Sequence, residues 1–265
     1  MKTQNENYGQ DAPVVTRRLL VIGGLLLACW AALDLLHRQG ALPATLGKLR
    51  GIPFGPGIAM LLVGFIMIVS SRYGKRLLVR RLVAERAWRG DERVLDVGCG
   101  RGLVTVEVAR RLTLGGKVTG IDVWSQGDLA GNSAEALLLN ASAANVAARI
   151  AVDTGDARRL PYADDDFDVV TSATVLHNIK PRSERDRALA EMARVLRPGG
   201  EILLFDIVHT PFYATTLRHL GMTDVRLSIP WLLWALPGWR LSARKPTIAT
   251  PGSDSVQSKN RQRSG

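Results

Sequence analysis

Residues 94–102, Val-Leu-Asp-Val-Gly-Cys-Gly-Arg-Gly, constrain this chain more than any other stretch. A short apolar strand (Val94, Leu95, Val97) runs into three alternating glycines, Gly98, Gly100 and Gly102. An apolar helical pattern follows at once, at Leu103, Val106, Val108, Ala109 and Leu112. Glycine lets the backbone turn sharply and approach a ligand that a Cβ would hold off. The helix behind it aims free N–H groups and a positive dipole end at the same spot. Residues 117–122 read as a second strand that ends in Asp122, twenty-four residues after Gly98. A carboxylate there can accept hydrogen bonds from both ribose hydroxyls. The pattern describes a strand–glycine–helix nucleotide site.

A chain of 265 residues holds one globular domain of ordinary size plus extra segments. Its two cysteines, Cys29 in an apolar run and Cys99 in the glycine loop, leave no basis for a disulfide framework or a thiol metal cluster. The net charge of +11 is concentrated in Arg72, Lys75, Arg76, Arg80, Arg81, Arg86 and Arg89 and in the tail residues Lys259, Arg261 and Arg263. A basic cluster beside an apolar segment suits a membrane surface rather than a nucleic-acid groove, so no nucleic-acid partner is expected.

Residues 19–36 form an apolar run broken only by Asp34, and residues 52–71 form a run with no charge. About 20 apolar residues suffice to cross a bilayer as a helix. The connector, with Gly40, Pro43, Gly47 and Gly51, suits a helical hairpin. Thr16-Arg17-Arg18 loosely resembles a twin-arginine export signal, but a second span close behind argues against cleavage. Lys2, Arg17, Arg18 and the seven basic residues after the second run make ten, against three (Arg38, Lys48, Arg50) in the connector. Both ends are therefore expected on the cytoplasmic side of the cell membrane.

Downstream, residues 73–88 read as an amphipathic basic helix leading onto the domain. Asn132-Ser-Ala-Glu135 reads as a capping box opening a helix. Strands are expected over 149–152, 167–172 and 201–208, with a helix over 181–197. Strands alternating with helices argue for an α/β, doubly wound, mainly parallel sheet. Asp164, Asp165, Asp166 and Asp168 read as turn acids beside a strand, and no metal is expected. Trp231, Trp234 and Trp239 crowd a short apolar stretch that suits an interface or a pocket wall. The domain organisation expected is a tail over 1–18, a transmembrane hairpin over 19–71, a catalytic domain over 72–248 and a disordered tail over 249–265.

Dinucleotides and S-adenosylmethionine share the glycine–acid layout. Here the glycines are spaced Gly-x-Gly-x-Gly and preceded by Asp96. Gly155-Asp156-Ala157 then precedes Leu160-Pro161, followed by Phe167-Asp168-Val169-Val170 and by residues 196–203, Leu-Arg-Pro-Gly-Gly-Glu-Ile-Leu. As a set these motifs resemble the class I S-adenosylmethionine-dependent methyltransferases over roughly residues 75–248, and most nearly the small-molecule branch with the quinone-biosynthesis C-methyltransferases. Arg101 stands where that branch usually has a small hydroxyl residue.

The resemblance implies a Rossmann-like seven-stranded sheet, its antiparallel pair supplied by residues 223–227 and 240–244, and S-adenosylmethionine as cofactor. The residues expected to bind it are Asp96, Gly98, Gly100, Gly102, Asp122, Val123, Trp124, Asp156 (toward the adenine amino group), Ala157 and Ser172. Ligands in open α/β sheets sit beyond the carboxyl ends of the strands. That rule selects Ser172, Thr174, His177, Asn178, Asp206 and His209, among which His177 and His209 are the candidate catalytic bases. The acceptor is expected to be small or lipid-like, since two spans place the enzyme at a membrane. A non-catalytic S-adenosylmethionine-binding scaffold and a nicotinamide-dependent oxidoreductase are the competing readings. Nothing in the sequence sets the oligomeric state.

Overall fold

A computed structural model describes residues 6–127, 129–232 and 237–247. Seven strands form one sheet: β1 (Arg93–Val97), β2 (Lys117–Asp122), β3 (Ile150–Thr154), β4 (Phe167–Ala173), β5 (Leu196–Asp206), β6 (Thr223–Leu227) and β7 (Trp239–Arg244). Their order is β3-β2-β1-β4-β5-β7-β6, with β7 antiparallel to both neighbours and the other pairings parallel. Helices α5 (Leu103–Ala109), α6 (Ala134–Ala143), α7 (Arg182–Val195) and α8 (Thr210–His219) make the crossovers.

The two-residue alternation of the strands builds two cores, one on each face of the sheet. Leu95, Val97, Val170, Ile202 and Leu204 point toward α7 and α8, where Leu189, Met192, Tyr213 and Leu217 are buried. Val94, Val118, Val169, Leu203 and Phe205 point the other way, against α5 and against α4 (Lys75–Ala84) with its Leu78, Val79, Leu82 and Val83. The helix after the second apolar run is thus part of the domain core.

Ahead of the domain stand α1 (Pro13–Arg38), the short α2 (Ala44–Leu49) and α3 (Phe54–Val69). A single π-helical turn, Ser70–Gly74, joins α3 to α4. Glycines let α1 and α3 pack closely. A Cβ built on Gly23 would lie 3.0 Å from the Gly57 carbonyl oxygen, and one on Gly57 2.8 Å from Leu27. Small residues at a helix contact are what close packing in hydrocarbon requires. Helix α1 and the helical stretch Ala44–Ala84 that contains α3 are long and apolar enough to cross a membrane, and almost none of either apolar window is buried within the protein.

The structure corrects several boundaries. Helix α7 ends at Val195, and the Pro198-Gly199-Gly200 turn belongs to the start of β5 rather than to the helix end. The cap of α6 is Ser133, whose Oγ accepts from the Ala136 N–H at 3.2 Å. Asn132 stands outside the cap because its amide is engaged by Asp122 and Ser125. The basic stretch 72–89 is only partly a free cationic face. Lys75 is buried, Arg86 pairs with Glu92 and Glu201, and Arg89 with Asp91 and Asp168. Acids of the sheet edge and loops draw these side chains inward. Asp164, Asp165 and Asp166 pair with Arg194, Lys245 and Arg93. Trp231 packs against Phe205 and beneath the Arg81 guanidinium. Trp234 and the tail 249–265 lie outside the described residues.

Candidate active site

The carboxyl ends of β1, β2 and β4 open into one cavity of about 1260 Å³. At the end of β1 the backbone takes φ values of +71° at Gly98 and +53° at Gly100, a conformation costly for residues with a Cβ. A Cβ on Gly98 would also lie 2.3 Å from Val175, so this glycine serves loop packing as well as ligand approach.

Asp122 organises the loop. Its Oδ2 accepts from the Gly100 N–H at 2.8 Å, and its Oδ1 accepts from the Trp124 N–H at 2.7 Å and from the Asn132 amide at 3.3 Å. Each carboxylate oxygen has more than one acceptor site, so Oδ2 keeps capacity for a ligand hydroxyl. Asn132 lines the same cavity, and its Oδ1 is buried with no partner among the described residues. A buried orphan acceptor beside such a cavity suits a ligand donor. Asp96, beneath the loop, accepts from Thr105 Oγ1 at 2.6 Å and Thr171 Oγ1 at 2.9 Å. Burial pushes its carboxyl up to about 6, against the lowering effect of those hydrogen bonds.

Opposite the glycines, in the turn after β4, His177 lines the cavity. Its Nδ1 lies 2.6 Å from Asp206 Oδ1, and its backbone N–H donates to Asp206 Oδ2 at 3.1 Å. Asp206, at the end of β5, is buried and also accepts from the Ile207 N–H. A carboxylate so placed holds the Nδ1–H tautomer and leaves Nε2 as the basic ring nitrogen.

Of the residues expected at the site, Asp96, Gly98, Gly100, Asp122, Val123, Asp156, Ala157 and His177 line the cavity, with Thr174 and Asn178. Asp156 is held by the Arg158 guanidinium, which lowers its pKa. Four expected residues are turned elsewhere. Ser172 is buried and donates to the Val97 carbonyl at 2.8 Å. Gly102 caps α5 and packs on Leu137. Trp124 contributes its backbone to Asp122 and its indole to Thr154. His209 is exposed at the start of α8 with φ +66°, beside Phe212, and does not converge with His177.

A further wall had no counterpart in the sequence reading. Residues 6–11 lie along the domain as a strap. Arg101 Nε donates to the Asn7 carbonyl at 2.9 Å, and its Nη1 donates to Ala130 and Gly131. The buried Lys75 Nζ donates to the Tyr8 and Gly9 carbonyls at 2.9 and 2.7 Å and pairs with Asp11. Burial lowers the Lys75 pKa, partly offset by Asp11. Tyr8, Asp11 and Ala12 line the cavity. The tail thus wraps back onto the glycine loop and adds residues that precede Val94 to the cavity wall. Arg101, unusual for its position, holds it together with Lys75, Arg76 and Asn140.

Strand order, glycine loop and the acid closing β2 together define an S-adenosylmethionine-type Rossmann-like domain. The family described as "Methyltransferase domain" matches residues 95–204. The ubiquinone/menaquinone biosynthesis C-methyltransferase UbiE of Geotalea daltonii is 31% identical over 162 residues, 57% of this chain and 64% of that protein. A demethylmenaquinone methyltransferase of Thermobifida fusca is 31% identical over 176 residues, 62% of this chain and 67% of that protein. Among solved structures, the YcgJ protein of Bacillus subtilis shares the fold with a TM-score of 0.51 and 16% identity, covering 64% of this chain and 98% of that one. The chain belongs to the class I S-adenosylmethionine-dependent methyltransferases, whose cofactor is S-adenosylmethionine. It spans just under two thirds of the length of the UbiE protein it matches.

Proposed function

We propose that this chain is a membrane-anchored enzyme that moves a methyl group from S-adenosylmethionine to a small lipophilic acceptor, one resembling the quinone precursors named for its relatives. The observation that carries the reading is the pairing of His177 with Asp206 across the cavity that the glycine loop opens into. Asp122 and Asn132 would hold the ribose, and the Gly98–Gly100 backbone would admit the amino-acid portion. Bound there, S-adenosylmethionine supplies a methyl carbon already activated by its sulfonium. The protein's task is to place the acceptor nucleophile in line and to take its proton. His177 Nε2 would accept the proton of a ring hydroxyl, or the proton that leaves the ring carbon once it has taken the methyl and the thioether has departed, and Asp206 would stabilise the imidazolium formed. That arrangement has no use for a nicotinamide.

The spans are proposed to run with both ends on the cytoplasmic side, following the ten-to-three distribution of basic residues. The docking of residues 6–11 onto the domain supports this, because the tail and the domain then share one side. Incubating the full chain in vesicles with radiolabelled S-adenosylmethionine and fractionated lipids, quinones and protein tests the activity. Label is expected in the lipid-soluble fraction. Label confined to protein would overturn the acceptor class, and tight binding with no transfer to any fraction would leave the scaffold reading. Complete extraction of the chain by carbonate would overturn the spans.

A further inference from the structure

The cavity does not end at the cofactor loop. Beyond Ala12 and Ser71 its wall is made by Val15 and Leu19 of α1 and by Val63, Ile66 and Met67 of α3. At about 1260 Å³ it exceeds the roughly 300–1,000 Å³ of an ordinary single-ligand site, so there is room beyond one nucleotide. The two ends differ in chemistry. One presents Asp96, Asp122, Asn132 and His177; the other presents aliphatic side chains, of which Val15, Val63 and Ile66 are exposed.

The level of the membrane surface follows from neighbouring residues. Arg17, Arg18, Arg72 and Tyr73 are exposed where the apolar helices meet the domain, and basic and aromatic residues of this kind settle at the headgroups. Leu19, Val63 and Ile66 then lie on the hydrocarbon side of that level, and the glycine loop lies on the aqueous side. Farther along the hairpin, the glycine contacts of Gly23 and Gly57 close the space between the helices. At the domain end, Thr16 Oγ1 approaches Met67 Sδ at 3.8 Å. An apolar chain therefore cannot thread between α1 and α3, but can lie along the face they share with the cavity.

We infer that the wall of Val15, Leu19, Val63, Ile66 and Met67 is a tail-binding subsite, which receives the isoprenoid or alkyl chain of an amphiphilic acceptor sideways from the bilayer while its ring reaches His177. The inference rests on the methyl-transfer reading for what happens to the ring, but the subsite is a binding property of its own. The arrangement carries no hydrophobic penalty, because the tail passes from lipid to aliphatic side chains without entering water.

The test uses the full chain in phosphatidylcholine vesicles and a 1,4-dihydroxynaphthalene probe carrying a diazirine partway along an alkyl tail. After illumination, labelled residues are mapped by mass spectrometry. Labelling is expected to concentrate on residues 15–19 and 63–67, and an untagged farnesylated dihydroxynaphthalene should compete it away. Ile66→Trp, which fills the wall, should lower labelling of Val15 and Leu19 about tenfold. Leu25→Trp, on α1 outside the cavity, should leave it unchanged. Labelling spread equally to Leu25 and Ile58, or without competition, would overturn the subsite from the unmodified chain alone, whatever the variants do to folding. If that happens while label still passes from S-adenosylmethionine to a lipid fraction, the subsite falls and the methyl-transfer reading stands. Competed labelling at the wall with no methyl transfer would leave the subsite standing alone.

Discussion

Asp122 Oδ2 accepts the Gly100 N–H at 2.8 Å, so the residue proposed to meet a ribose also pins the glycine loop. The two tasks are coupled. Asp122→Ala removes a ligand acceptor and releases Gly100, Trp124 and Asn132 together. S-adenosylmethionine binding should weaken by about 1.5–3 kcal/mol, the range for hydrogen bonds to a charged group. Isothermal calorimetry on the folded variant checks this, and an unchanged Kd would remove Asp122 from the site.

His177 and Asp206 should separate chemistry from cofactor binding. His177→Ala is expected to lower kcat by about 10²–10⁴, the usual contribution of a positioned general base. Asp206→Asn should also lower kcat, because an amide no longer fixes the Nδ1–H tautomer. Neither should change the Kd for S-adenosylmethionine by much, since the proposed role of His177 is toward the acceptor. A parallel loss of cofactor affinity would make the pair structural.

The strap predicts that the tail matters to a site that begins ninety residues later. Arg101→Ala removes the hydrogen bonds to the Asn7, Ala130 and Gly131 carbonyls. Proteolysis within residues 6–11 should accelerate, and cofactor affinity should fall by roughly 1 kcal/mol, since Arg101 is only partly buried. A truncation beginning at Arg72 should bind still less well, because it deletes Tyr8, Asp11 and Ala12 from the wall and strips Lys75 of its acceptors. Equal affinity in truncated and full-length protein would exclude the strap from the site.

Asp96 gives a pH dependence with a defined sign. Burial raises its carboxyl from 3.8 to about 6 in the folded protein. The fold therefore holds this proton more tightly than the unfolded chain does. Its contribution to stability is fully present below the unfolded pKa and is lost as pH rises through about 6. The loss is on the order of 3 kcal/mol at most, from about two pKa units. Asp96→Asn should flatten the profile, so its thermal midpoint gains on the parent between about pH 4.5 and about pH 7.5. A constant difference at both pH values would contradict the assignment.

What the sequence determined by itself was local. Gly98 and Gly100 announce a backbone of positive φ, the short apolar run from Val94 to Val97 ahead of them announces a strand, and Asp122 at its distance from the glycines marks the end of the next. The same locality explains the two apolar runs, legible from length and from charge that is limited to Asp34 in the first and absent from the second. The tertiary structure decided whatever depends on residues far apart in the chain. His177 finds Asp206 only because β4 and β5 are neighbours, and His209, equally eligible by position, sits past β5 in a turn that faces away. Ser172 falls at a strand end as expected, yet the pleat turns its hydroxyl to Val97. Arg101 meets Asn7 across 94 residues, and the two apolar helices meet the cavity of the glycine loop through a contact that neither periodicity contains. Local propensity depends on a few neighbouring dihedrals. These contacts depend on how a twisted sheet stacks its crossovers, and no short window of sequence holds that information.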